Sequence, residues 1–343
     1  MFSHYNNQNP MFTYMRPRSE KPPFNSLLKH LILLGGIQLF CPMTSAQQAV
    51  AAQAVPDCDR QCLLGVADKF LKGLVNHTPE QIPWAATVRF TENNVPLAVG
   101  DGIWGTITGL GKYKLYVADE KSGEVGFFGE VQEPSFSSLM AMRLKVAHKN
   151  ISEAEMVILR MTYEPKSIVW PDPVLEDKPV FTETLPPAKR RPRERMISIA
   201  NGYFDTLQLN DGTLYTQFDA KCDRVENGTK TTHNAKVDFT AVGALGCEDQ
   251  FKQGNYRYDS ALRARRFPLV DEERGLVLAS AFIDHNGVID EYALSDGRVV
   301  KSPIRYPHSF YLLELFKIDD GRIRQIESVF VTVPYGMQSP WLP

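Results

Sequence analysis

Neither sign of charge dominates this chain of 343 residues: Lys and Arg number 38, Asp and Glu number 40, and the formal net charge is -2. A surface that follows phosphates carries a basic excess, so nucleic acid is not an expected partner. The one basic run, Lys189, Arg190, Arg191, Arg193 and Arg195, stands among prolines and reads as a solvated linker. Nucleotide-cradling motifs are missing too. No Gly-x-x-x-x-Gly-Lys sequence occurs, and no Gly-x-Gly-x-x-Gly opens a helix. There is no Gly-x-Ser-x-Gly elbow for a serine nucleophile. The histidines His77, His148, His233, His285 and His308 are scattered without ligand spacing, so neither a metal nor another cofactor is expected.

The apolar stretch Leu31–Phe40 is too short to span a bilayer, which takes roughly 20 residues. It follows Arg16, Arg18, Lys21 and Lys29 and precedes the small residues Thr44, Ser45 and Ala46. That is the order of a secretory leader, so residues 1–46 are expected to be a signal peptide and the mature protein to be secreted or periplasmic, with no stable membrane insertion. Cysteine is scarce. Four of the five cysteines lie beyond the leader: Cys58, Cys62, Cys222 and Cys247. An even number in an exported chain points to two disulfides. Three connectivities are open; Cys222 with Cys247 and Cys58 with Cys62 are favoured, because each pair stays within one segment. Four reduced thiols are the alternative.

Hydrophobic residues make up 43%, enough for two cores. Seven prolines between Pro165 and Pro192 mark residues 163–193 as an extended linker. The flanking segments, 57–162 and 194–337, open alike. Leu63, Leu64, Ala67, Phe70, Leu71 and Leu74 recur at helical spacing, as do Met196, Ile199, Ala200, Tyr203, Phe204 and Leu207. A strand and turn follow each helix, Glu92-Asn93-Asn94 in one segment and Glu226-Asn227-Gly228 in the other. Each segment closes in strands: 125–131, 139–147 and 154–161, then 276–284, 309–318 and 323–333. The second holds an insertion at about 229–262 that carries Cys247. Helices followed by a meander argue for α+β.

These features, with Gly100-Asp101-Gly102-x-Trp104, resemble the SnoaL-like branch of the nuclear transport factor 2-like superfamily, in two copies. The chain also resembles an uncharacterised group of secreted proteins, chiefly over Arg265–Gly275 and Asp284-His285. The resemblance implies two cone-shaped domains, each a curved antiparallel sheet packed on helices around a pocket. It also implies a monomer in which the two copies form an internal pseudo-dimer.

Asp284 and His285 are the leading acid–base candidates, although neighbours on a strand point to opposite faces. Glu314 and Glu327 each alternate with apolar residues, so burial would raise their pKa and suit proton transfer. Glu155 is the counterpart of Glu327 in the first copy, and Gln132-Glu133 stands where the second has Asp284-His285. Tyr256, Arg257 and Arg224 are candidates for substrate binding, through hydroxyl and guanidinium groups. Asn150-Ile151-Ser152 and Asn227-Gly228-Thr229 fit the glycosylation sequon. The expected activity is a cofactor-independent lyase or isomerase acting on a small, largely apolar organic molecule. The alternatives are a non-catalytic binder of a small molecule or partner, and a structural pseudo-dimer with filled cores.

Overall fold

The computed structural model describes residues 57–160, 175–237 and 242–342. The expected leader and the first part of the linker lie outside them. The first lobe contains α1 (Arg60–Val75), β1 (Trp84–Glu92), β2 (Val95–Pro96), β3 (Gly109–Asp119), β4 (Glu124–Glu133), β5 (Phe136–Ala147) and β6 (Asn150–Arg160). Next come a short helix α2 (Pro179–Thr182) and α3 (Arg193–Leu209). The second lobe continues with β7 (Phe218–Glu226), β8 (Thr229–Lys230), α4 (Cys247–Lys252), β9 (Ala261–Asp271) and β10 (Leu276–His285). It ends with β11 (Glu291–Ala293), β12 (Val299–Lys301), β13 (His308–Asp319) and β14 (Arg322–Val333).

Both helices form where the apolar spacing places them. Asp59 caps α1 by accepting a hydrogen bond from the Cys62 amide at 2.9 Å. Leu63, Ala67, Phe70 and Leu74 form its buried stripe. α3 buries Met196, Ile199, Tyr203 and Phe204 and ends on left-handed Asn210, whose φ is 38°.

The two sheets share one strand order, β2-β1-β6-β5-β4-β3 and β8-β7-β14-β13-β10-β9. They are mixed rather than wholly antiparallel, which corrects the expected strand direction within the sheets. β1 runs parallel to β6, and β7 parallel to β14. Each meander leaves one edge of its last strand unpaired, and the first strand of the lobe closes that edge. The paired Glu-Asn elements have a structural role here. Asn93 and Asn227 both have positive φ, and their side-chain oxygens accept hydrogen bonds from the amides of Ile158 (2.7 Å) and Phe330 (2.9 Å). Each turn is thereby tied to the last strand of its lobe. Asn227 is also fully buried, so its sequon is not presented at the surface.

Gly102 is explained similarly. Its φ is +67°, and a Cβ would run into the Glu92 carboxylate, which accepts the Ile103 amide at 2.7 Å.

Three apolar clusters hold the lobes together. One packs α1 on one face of the first sheet, and a second packs α3 on the matching face of the second. The third lies between the outer faces of the sheets and includes Phe128, Val157, Leu278, Leu313 and Leu315. The described part of the linker is not simply solvated, contrary to expectation. Phe181 and Leu185 are buried, and Arg193 bonds the buried Asp119 at 2.5 Å. Lys189 and Arg191 pair with Asp319 and Asp320.

Both disulfides are present, Cys58–Cys62 with Cα atoms 5.2 Å apart and Cys222–Cys247 at 5.7 Å. The second ties the insertion to β7 across 25 residues. Closing a loop of that length stabilises a fold by about 3 kcal/mol. A Cys222→Ala/Cys247→Ala variant is therefore expected to lose roughly that much in chemical denaturation. An unchanged midpoint would show that the insertion is held without the bond.

Candidate functional site

A cavity of about 70 Å³ opens between the α3-facing side of the second sheet, α3, the insertion and the segment leading to β13. Strand alternation decides which candidates reach it. Ile283 and His285 line the cavity, as do Leu312 and Glu314 one strand away. Asp284 points to the other face, where its carboxylate accepts hydrogen bonds from Arg263 (2.7 Å) and Ser309 (2.5 Å). It is therefore an ion-pair partner outside the site.

Glu327 also misses the cavity. Its cross-strand neighbour is Leu315, which belongs to the cluster between the sheets. The register of β14 shifts between its pairings with Lys317 and Ile318. The alternation that joined Glu327 to Ile323 is broken there. Glu327 instead accepts the Tyr113 hydroxyl at 3.0 Å and pairs with Lys178 at 2.9 Å. Glu155 is likewise buried between the sheets, bound by Arg143 at 2.8 Å, by Arg266 at 2.5 Å and by Tyr311.

Arg224 and Tyr256 reach the cavity, but Arg257 is exposed and does not line it. Residues 254–258 form turns rather than a strand, so Tyr256 and Tyr258 both face inward and the arginine between them faces water. The Arg224 guanidinium is engaged through Nε and Nη2. It donates to Gln250 at 2.8 Å, to Thr231 at 3.2 Å and to Tyr256, and it pairs with Glu226 at 3.3 Å. Gln250 lies on α4, which the Cys222–Cys247 bond holds in place. The Tyr256 amide donates to the Asn210 side chain at 2.6 Å, so the end of α3 fixes the loop that carries the tyrosine.

His285 is 1% exposed. Its Nε2 lies 3.0 Å from the carboxylate of Asp259, which also lines the cavity. Its Nδ1 is buried and has no hydrogen-bond partner. The rings of Phe310 and His308 flank it at 4.6 and 4.7 Å. With Asp259 ionised and accepting the proton on Nε2, Nδ1 is left as a base.

Burial raises the Asp259 carboxyl above its ordinary value, although the His285 contact opposes this. Burial, followed by the negative charge of Glu226, pushes Glu314 up to about 8 against the pull of Arg224 and a hydrogen bond from Tyr203. At neutral pH the cavity thus offers a protonated carboxyl, and beside it an imidazole whose Nδ1 is unpartnered. The sequence did not single out Asp259 or Tyr203. Tyr203 reads as helix core, and Asp259 meets His285 only through folding of the insertion.

The first lobe differs at equivalent positions. Cross-strand pairs run Glu92, Met156, Met142 and Phe127 in one sheet, and Glu226, Ser328, Glu314 and Ala279 in the other. In this alignment Met142 replaces Glu314, Phe90 replaces Arg224 and Glu133 replaces His285. Met142 and Phe90 are core residues, and Glu133 is taken by Arg160, Ser138 and Thr106.

A family model described as a domain of unknown function, DUF8021, matches residues 189–330, which covers most of the second lobe. No curated protein matches the chain. Among solved structures, a provisionally named ketosteroid isomerase of Kribbella flavida is 14% identical. It covers 34% of this chain and 95% of its own, with a TM-score of 0.26. A protein of unknown function from Cytophaga hutchinsonii, described as NTF2-like, is 12% identical. It covers 40% of this chain and 97% of its own, with a TM-score of 0.20. A designed protein with a curved β-sheet is 15% identical over 29% of this chain and 87% of its own, with a TM-score of 0.25. Likenesses this partial carry no argument about activity.

Proposed function

We propose that the chain is an exported, cofactor-independent lyase or isomerase that moves a proton on a small organic molecule held in the second lobe. Its N-terminal charge and apolar pattern and its two disulfides support export. The observation that carries the catalytic reading is the convergence on one cavity of the His285–Asp259 pair and Glu314. His285 serves as the base through Nδ1, with Asp259 holding its tautomer. Glu314, protonated at neutral pH, donates to an oxygen that gains charge during the transfer. Ile283, Leu312, Phe310 and Phe330 supply the apolar wall, which strengthens both interactions by excluding water. The first lobe, with Met142 and Phe90 at the matching places, acts as support.

Incubating the purified protein with a metabolite extract in heavy water tests this reading by mass spectrometry. The wild type is expected to place deuterium in, or consume, at least one compound. His285→Ala and Glu314→Gln variants that remain folded are expected to be slower by roughly 100- to 10,000-fold. A wild type that exchanges nothing but retains one metabolite in stoichiometric amount would replace the enzyme with a binding protein.

A further inference from the structure

We infer that Arg224 is the residue that recognises the ligand, donating through Nη1 to a carbonyl or carboxylate oxygen of a small molecule in the cavity. The inference rests on the reading of this cavity as the substrate site, and it names the group by which the substrate is held.

The fold itself asks for no guanidinium at this position. In the first lobe the matching residue of β1 is Phe90, which packs in the apolar core. Arg224 is 1% exposed, and it lines the cavity from β7. Burying a charge where an apolar ring suffices costs free energy that only good partners offset.

Those partners clamp two of the three guanidinium nitrogens. Nε lies 3.2 Å from the Thr231 hydroxyl and 3.3 Å from the Glu226 carboxylate. Nη2 donates to Gln250 Oε1 at 2.8 Å and to the Tyr256 hydroxyl. Gln250 is itself fixed, because its Nε2 donates to the main-chain oxygens of Thr231 (2.7 Å) and Leu245 (3.3 Å). Its Oε1 also accepts the Tyr256 hydroxyl at 2.7 Å, and the Tyr256 ring lies over the guanidinium at 4.8 Å. The plane of the group is thus set before any ligand arrives.

Nη1 is left over. Among the described residues it meets no acceptor, although it belongs to a buried cation. Donors left unmet on a buried charged group are costly, and an acceptor oxygen removes that cost. Carbonyl and carboxylate groups share an oxygen with in-plane lone pairs, and its hydrogen bond to a guanidinium is charge-assisted. A hydrocarbon or an ammonium ion offers no such atom. Arg224 therefore positions the ligand, while His285 and Glu314 on the same walls stay free to move its proton.

The test uses four probes on one carbon skeleton: cyclopentanone, cyclopentanecarboxylate, cyclopentane and cyclopentylammonium. Each is titrated into the purified wild type while the Arg224 side-chain nitrogens are followed by NMR. The ketone or the carboxylate is expected to shift Nη1 and to bind at least about tenfold more tightly than cyclopentane and cyclopentylammonium. Whichever of the two binds better tells a neutral carbonyl substrate from an acid. Arg224→Lys keeps a positive charge beside Glu226 but has no Nη1, so the preference is expected to vanish in this variant. Should the variant not fold, the Nη1 shift in the wild type decides alone.

Equal binding of cyclopentane and cyclopentanone, or binding that leaves Nη1 unmoved, would overturn the inference. So would a folded Arg224→Lys variant that keeps the preference, or failure of all four probes to bind. Binding is read here without turnover. An Nη1 contact without any deuterium exchange would defeat the catalytic reading alone, and exchange on a compound lacking a carbonyl or carboxylate would defeat only this inference.

Discussion

Replacing Glu155 by Ala is expected to destabilise the protein by about 3–5 kcal/mol, because it leaves the half-buried Arg266 guanidinium without a counter-charge and removes one of three from the buried Arg143. Glu155 is fully buried on β6. It accepts Arg143 Nε at 2.8 Å from its own sheet and Arg266 Nη2 at 2.5 Å from the other, with Tyr311 and Ser280 (3.2 Å) completing its shell. Arg143 keeps Glu124 at 3.0 Å and Glu153 at 2.8 Å. Arg266 keeps only the Ser280 hydroxyl at 3.0 Å and its stacking on the Trp341 ring. A chain of this size loses roughly 2–4 °C in Tm per kcal/mol, so a fall of about 10 °C is expected in calorimetry.

Because Glu155 bridges the two sheets, the variant is also expected to separate their unfolding into two steps. The pH dependence follows from the same contacts. Burial alone would raise the Glu155 carboxyl, but Arg143, Arg266 and Tyr311 outweigh it and hold the group below its ordinary value. The stabilisation is complete above the unfolded carboxylate value and is lost as pH falls through the lower folded one. A loss under about 1 kcal/mol in Glu155→Ala would show that the two sheets are held by their apolar contacts alone.

Glu314 should behave in the opposite sense. Its carboxyl is raised from 4.5 to about 8 by burial and then by Glu226. An unfolded chain releases this proton near the ordinary value while the folded chain retains it. The folded state therefore binds more protons between the two values, and stability falls as pH rises through that window. Glu314→Gln removes the penalty. The variant is expected to match the wild type near pH 4 and to exceed it by several kcal/mol near pH 9, as judged by urea denaturation at both pH values. The same variant is expected to stay slow without this pH dependence, while wild-type turnover declines above about 8 as the donor ionises. Parallel stability curves for the two proteins would mean that Glu314 ionises in the folded state as it does in water, and the proposed donor role would fall with them.

Local chemistry made much of the architecture legible. Helical spacing located α1 and α3, because a stripe repeating at three and four residues has only one way to bury itself. The long strands and the Asn-Asn, Asn-Gly and Asp-Gly turns were readable for a similar reason, since few residues tolerate positive φ. β3 and β9 escaped notice. Gly109 and Gly111 weaken the pattern at the start of β3, and β9 carries Arg263, Arg265 and Arg266, whose partners lie far away in sequence at Asp284, Asp205 and Glu155.

The amino-acid sequence by itself determined α1, α3, the closing strands of each lobe and their turns, and which cysteines could pair. It also placed His285 and Glu314 among the candidates, because a titratable side chain within an apolar pattern is visible without coordinates. Only the tertiary structure decided which candidates share a cavity. A register shift in β14 turned Glu327 toward the other sheet, strand alternation separated Asp284 from His285, and folding of the insertion brought Asp259 against His285. The facing of a side chain depends on the register of the neighbouring strand, and the partner of a buried charge can lie anywhere along the chain; local patterns contain neither.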